Sequence, residues 1–186
     1  MAVQIQRRSF TVEEYYKMAQ AGILSEDDRV ELLDGEIVEM TPIGSKHAAC
    51  VKRMIRLFSE LVGGRAIVSA QDPIRIGERS EPQPDLALLV PRSDFYAAAH
   101  PGPEDVLLVI EVAETSADFD RQVKAPLYAR AGVREVWLVD LPSRRVEVYR
   151  SPSGDTYRDV QTLGPGKRLA PQAFPDAEAS VDEILA

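Results

Sequence analysis

Cysteine is almost absent: Cys50 stands alone in 186 residues, so no internal disulfide can form and the fold must rest on its core. With apolar neighbours, Cys50 reads as a small buried hydrophobe and takes no functional role. Long apolar runs are missing too. Nowhere do about 18 apolar residues follow one another, and MAVQIQRRSFTVEEYY has no apolar stretch behind its charges. Neither a signal peptide nor a membrane span is expected, and the reading is a cytoplasmic protein. Repeats and low-complexity tracts are also lacking, which predicts one ordered domain over residues 1–186. Positive charge is in deficit, with 22 Lys and Arg against 30 Asp and Glu and a net charge of −8. That excludes indiscriminate nucleic-acid binding and leaves room only for a localised basic groove.

What is present is a regular alternation of helix and strand signals. Thr11 and Glu14 form a capping-box pattern for a helix from Val12 to about Ala21. Apolar segments on either side of Asp34-Gly35 predict a tight hairpin over Arg29–Met40, with Glu31 on its first strand. From Ser45 to Val62, Val51, Met54, Ile55, Phe58, Leu61 and Val62 recur at helical spacing, with Lys52, Arg53 and Arg56 on the other side. Short strands are expected at Arg65–Ala70, Pro73–Ile76 and Pro84–Val90. The stretch from Asp105 to Val112, broken only by Glu111, reads as a strand covered on both faces. A helix capped by Thr115 or Ser116 continues toward Gly132, bent or restarted at Pro126. Strands at Val133–Val139, Arg144–Tyr149 and about Tyr157–Leu163 follow, and a short closing segment spans Ala179–Ile184.

Asp85 and Glu111 carry the chemistry. Each interrupts a segment that otherwise belongs in a core, where a carboxylate is costly unless it is paired or bound to metal. On neighbouring strands they would converge, with a backbone carbonyl such as that of Val112, on a hard cation such as Mg²⁺. Lys124 shares a helical line with Asp120 and Tyr128 at four-residue spacing and would point back over the carboxylates. There it would orient a water and offset charge on a phosphoryl transition state. Taken singly, each has a plainer explanation. An Asp at a strand start suits a turn, a Glu at a strand end is often exposed, and Asp120 with Lys124 makes an ordinary surface pair.

The order Gln83-Pro84-Asp85, Glu111-Val112-Ala113 and a helix bearing Lys124 resembles the PD-(D/E)XK nuclease superfamily. A wider set is similar to its Uma-type family: Glu31-Leu32-Leu33-Asp34-Gly35-Glu36-Ile37-Val38, His47, Glu81 through Asp85, Ile110 through Lys124, and Tyr128 through Asp140. The resemblance implies an α/β (α+β) restriction-endonuclease-like fold, a mixed central β-sheet with helices on both faces. It implies an endonuclease that hydrolyses DNA phosphodiester bonds with Mg²⁺, replaceable by Mn²⁺, on Asp85 and Glu111. The superfamily pattern has Lys two residues after the acidic residue, where this chain has Ala113, so Lys124 is the migrated substitute. The alternative is a nuclease-fold protein without cleavage activity that binds nucleic acid or associates with itself.

Glu31 adds a further candidate carboxylate from the hairpin. His47 faces the same cleft or, more simply, is a helix-start or core histidine. His100 reads as a loop residue, Glu114 and Asp118 as loop braces, and Trp137 as core packing. Arg121 and Arg130 suit phosphate or a solvated helix face equally. A homodimer is the default assembly, because two-fold dimers are commonest and a duplex has two strands to cut.

Overall fold

The computed structural model describes residues 7–25 and 27–186. Its centre is a six-stranded sheet ordered β3-β4-β5-β6-β7-β8, formed by β3 (Ile67–Ser69), β4 (Leu86–Leu89), β5 (Val106–Ala113), β6 (Glu135–Asp140), β7 (Arg145–Ser153) and β8 (Thr156–Leu163). Only β5 and β6 run parallel; the remaining neighbours are antiparallel. A parallel pair needs a crossover that covers the sheet, and this explains the nearly unbroken apolar run of β5.

Period-two alternation sends the strand side chains into two cores. Leu86, Leu88, Leu108, Ile110 and Trp137 face the long helix α2 (Ser45–Val62), which inserts Cys50, Met54, Phe58 and Val62. Ala87, Val109 and Val136 face the opposite way, toward Tyr128 and Ala129 of the crossover. Helices therefore lie on both faces, as the α/β reading expected. Trp137 is fully buried, and its Nε1 donates to Glu135, whose other partners are Arg150 and the Gln172 amide. Saturation with donors is what lets a carboxylate sit at zero exposure.

The Asp-Gly hairpin forms as expected from β1 (Val30–Leu33) and β2 (Glu36–Glu39), with positive φ at both Asp34 and Gly35. The Glu81 amide donates to the Leu32 carbonyl at 2.7 Å, which anchors the hairpin against the approach to β4. The first helix, α1 (Val12–Gln20), carries the expected capping box between Thr11 and Glu14.

One expectation is corrected. Pro73–Ile76 is not a strand: its amides are taken by separate loops, Ile74 by Pro82, Arg75 by Pro101 and Ile76 by Ser80. The crossover restarts at Pro126, one of the two alternatives expected there, and runs as α3 (Ala117–Phe119), a π-helical turn (Asp120–Lys124) that the sequence did not announce, and α4 (Ala125–Arg130). Pro126 has no amide hydrogen to give the carbonyl four residues earlier, and its ring crowds that carbonyl. The ladder widens instead, with Ala125 N donating to Asp120 O. The chain closes on β9 (Arg168–Leu169), β10 (Ala179–Ser180) and α5 (Val181–Leu185). Among the described residues no helix is long and apolar enough to cross a membrane.

Candidate active site

Leu86 of β4 pairs with Ile110 of β5, so continuing the register by one residue sets Asp85 beside Glu111. Glu111 leans toward the crossover because it shares the sheet face of Val109. Asp85 stays at the strand's entry, where its Oδ2 accepts from the Val112 amide at 2.9 Å. Among the described residues its Oδ1 has only a long contact from Gln71, at 3.4 Å. His47, on the first turn of α2, brings Nε2 to 3.0 Å from the same Oδ2. The bond to Asp85 lifts the imidazole above its ordinary range against the opposing effect of burial. His47 is thus a cleft residue, in preference to the helix-start or core role that its sequence position suggests more simply.

Lys124 folds back over the carboxylates through the π turn. Its Nζ lies 3.2 Å from Glu31 Oε2 and 3.3 Å from Glu111 Oε1. Burial opposes its charge, but Glu111, Glu31 and Asp120 outweigh that and hold it protonated well above the usual lysine range. Lys124 and Asp120 are 5% and 6% exposed, so the exposed-pair reading is wrong. Glu31 is 3% exposed and also accepts from the Gln83 amide, which removes its reading as a solvated strand residue.

Burial pushes Glu111 up to about 8 despite the Lys124 ammonium, with the charges of Asp120, Asp85 and Glu31 adding to the effect. Its Oε1 also accepts from the Tyr128 hydroxyl at 2.7 Å. Asp120 is held by Ser116, and burial raises its carboxyl as well. Glu31, His47, Asp85, Glu111, Asp120 and Lys124 line one cleft of about 330 Å³, with Tyr128 behind Glu111 in the core. Tyr128 and Asp120 are contributors that strand-based reasoning passed over. Their one signal was the four-residue spacing with Lys124.

Beside the cleft, Arg121 grips the far end of the sheet. It donates to both carboxylate oxygens of Glu147, to Asp140 at 2.7 Å and to Asp118 at 2.9 Å. Arg121 is therefore occupied within the fold, as is Arg130 with Asp34. Glu114 lines the cleft, and Asp118 pairs with Arg121.

The donors suit a hard divalent cation in kind, being carboxylate oxygens in a net-negative pocket. Among the described residues only Oε1 of Glu111 is engaged, leaving Oε2 available. Among those same residues no three His, Cys, Asp or Glu side chains already stand in cation-holding geometry.

The family model of Uma2, described as "Putative restriction endonuclease", matches residues 12–182, and the chain belongs to that family. Among solved structures it is similar to "a putative nuclease belonging to DUF820" from Anabaena variabilis, with a TM-score of 0.72 and 16% identity over 95% of this chain and 97% of that one. At that identity the likeness bears on fold alone. No curated protein matches the chain.

Proposed function

We propose that this member of a nuclease family is a divalent-metal-dependent endonuclease that hydrolyses DNA phosphodiester bonds. The observation that carries the reading is the convergence of Asp85, Glu111, Glu31 and Lys124 in one buried cleft, from the entry to β4, from β5, from β1 and from the π turn. Asp85 and Glu111 are assigned as the ligands of Mg²⁺, with Mn²⁺ as a substitute. Bound there, the cation would acidify a water and offset charge on the leaving oxygen.

The chain's own groups do the remainder. Lys124 orients the attacking water and balances negative charge on the phosphate. Glu31 fixes the ammonium through its 3.2 Å contact, and His47 and the Val112 amide fix Asp85. A homodimer belongs to the proposal, since a second cleft would serve the opposite strand.

A second reading has its own support. Lys124 already occupies Glu31 and Glu111, and Ala113 stands where the superfamily pattern has Lys. A nuclease-fold module that binds nucleic acid or itself without cleaving would look the same. Cleavage of single- and double-stranded DNA in Mn²⁺ or Mg²⁺ separates the two. Wild type should cut, while Asp85→Ala, Glu111→Ala and Lys124→Ala each lose on the order of 10²-fold or more. Cutting that survives both carboxylate substitutions would remove the assignment, and a wild type inert with either metal would favour the second reading.

A further inference from the structure

Helix α2 carries a charge pattern that the cleft does not use. Before Glu60 it holds Lys46, Lys52, Arg53 and Arg56 and no acidic residue, in a chain with a net charge of −8. At about 100° per residue, these four fall within an arc of about 120°. That arc lies opposite the one through which Cys50, Met54, Phe58 and Val62 enter the core. Lys46, Lys52 and Arg56 are exposed, and Arg53 is half-buried.

What sets this group apart is its alignment along one helix flank, since many of the chain's other cations are tied down singly. Arg65, Arg121, Arg130, Arg150 and Arg168 all lie in ion pairs. Of the four Lys and Arg on α2, among the described residues, only Arg56 meets an acid, Glu60 at 3.9 Å and well exposed. Arg53 Nε is buried and, among the described residues, lacks a hydrogen-bond partner.

The ridge starts at the cleft. Gly44 and His47, on either side of Lys46, line it, and His47 touches Asp85. From Lys46 to Arg56 the helix advances about 15 Å, the span of about four to five phosphates along one duplex strand.

We propose that this ridge binds the sugar-phosphate backbone of the nucleic acid as the strand leaves the cleft. It supplies affinity and direction without reading bases, because it offers ammonium and guanidinium groups along a helix that itself carries no Asn or Gln and whose Phe58 is buried. The proposal rests on the nuclease reading only for what occupies the cleft. It also reconciles a strongly acidic chain with a polyanionic substrate, by gathering free positive charge along one line.

The test is fluorescence anisotropy with a short labelled DNA duplex in Ca²⁺, between about 50 and 200 mM salt. It compares wild type, the double variant Lys52→Glu/Arg56→Glu, the neutral double variant Lys52→Gln/Arg56→Gln, and Arg158→Glu on β8 as a distant control. Wild-type affinity should fall with salt. The charge reversal should weaken binding tenfold or more, and the neutral variant should flatten the salt slope by about two phosphate contacts, about 1.8 in log–log terms. Arg158→Glu should match wild type.

Equal affinity and slope in wild type and both double variants overturns the ridge, as does absence of wild-type binding at the lowest salt. A change in oligomeric state by light scattering without a change in DNA affinity also overturns it, in favour of a second copy of the chain. The two readings fail separately. Ridge-dependent binding without cleavage in Mn²⁺ removes the nuclease and keeps the ridge; cleavage with binding indifferent to α2 does the reverse.

Discussion

The hydroxyl of Tyr128 donates to Glu111 Oε1 at 2.7 Å, across the gap between α4 and β5, with both groups shut away from solvent. A buried carboxylate that loses a donor retains its desolvation cost. Tyr128→Phe should therefore lower stability by about 1–3 kcal/mol, read as a shift in the urea midpoint at unchanged slope. An unchanged midpoint would mean that Lys124 alone satisfies Glu111.

The same burial sets a proton linkage. Glu111 titrates near 8 in the metal-free protein because burial disfavours its charge, so near neutral pH it carries a proton that a bound cation must displace. Affinity for Mn²⁺ should rise with pH up to about 8 and flatten above it, with about one proton released per ion near neutrality. Calorimetry in two buffers of different ionisation enthalpy measures that proton. Metal binding with no buffer dependence would place the cation away from Glu111. Stability follows the matching sign. The folded pKa lies above the unfolded one, so the native state gives up stability as pH climbs from about 4.5 to about 8.

Among the described residues, Lys124 is the only cation in an ion pair with Glu31 or Glu111, and its charge also acts on Asp120. Lys124→Met leaves those carboxylates without a counter-charge and should cost about 3–5 kcal/mol in chelator. Because Mn²⁺ can supply the missing positive charge, the variant's Tm should rise more with metal than that of the wild type. Equal metal-induced shifts in the two proteins would indicate that the cation and Lys124 do not share this cluster.

How much of this lay in the sequence differs between neighbouring residues. Asp34-Gly35 dictated its turn through local backbone preference, and the run from Val106 to Val112 declared a strand covered on both faces, because those signals involve residues close in the chain. Asp85 and Glu111 stood out as charges in apolar segments. The burial of Lys124 was not readable from its own helix, since it depends on Glu31, which a hairpin far away in sequence brings in and which the Glu81–Leu32 bridge holds. His47 looked like a core histidine for the same reason: its partner, Asp85, lies 38 residues away. Pro126 announced a break, but not that the break would widen the preceding turn.

Arg121 carries a prediction on the acid side. Burial tends to raise the carboxyls of Asp140 and Glu147, yet the Ser143 contacts on Asp140, the Tyr149 hydroxyl on Glu147 and the guanidinium groups of Arg121 and Arg145 hold both below the usual range. Depressed carboxylates contribute stability that is present above about 4.5 and lost as pH falls through the folded values. Arg121→Met should reduce stability near neutrality and flatten its loss between about pH 5 and 3, as followed by thermal melts across that range. A profile parallel to wild type would mean that Arg145 alone sustains the two carboxylates.

Pro126 ties the fold to the site. Without its amide, Ala125 bonds to Asp120 and the turn from Asp120 to Lys124 widens, which sets the rotation that presents both side chains to the cleft while Arg121 reaches Asp140 and Glu147. Pro126→Ala restores a donor and relieves the ring's clash with the preceding turn, so α-helical bonding becomes available. A one-residue change of bonding register would rotate Lys124 off Glu111 while leaving the apolar packing of Leu127 and Ala129 nearly intact. Metal affinity and cleavage should therefore fall by on the order of 10-fold or more, while Tm stays level or rises, because an ordinary helical turn is the lower-energy backbone. A variant equal to wild type in metal affinity would show that the packing around Lys124, and not the proline, holds the widened turn.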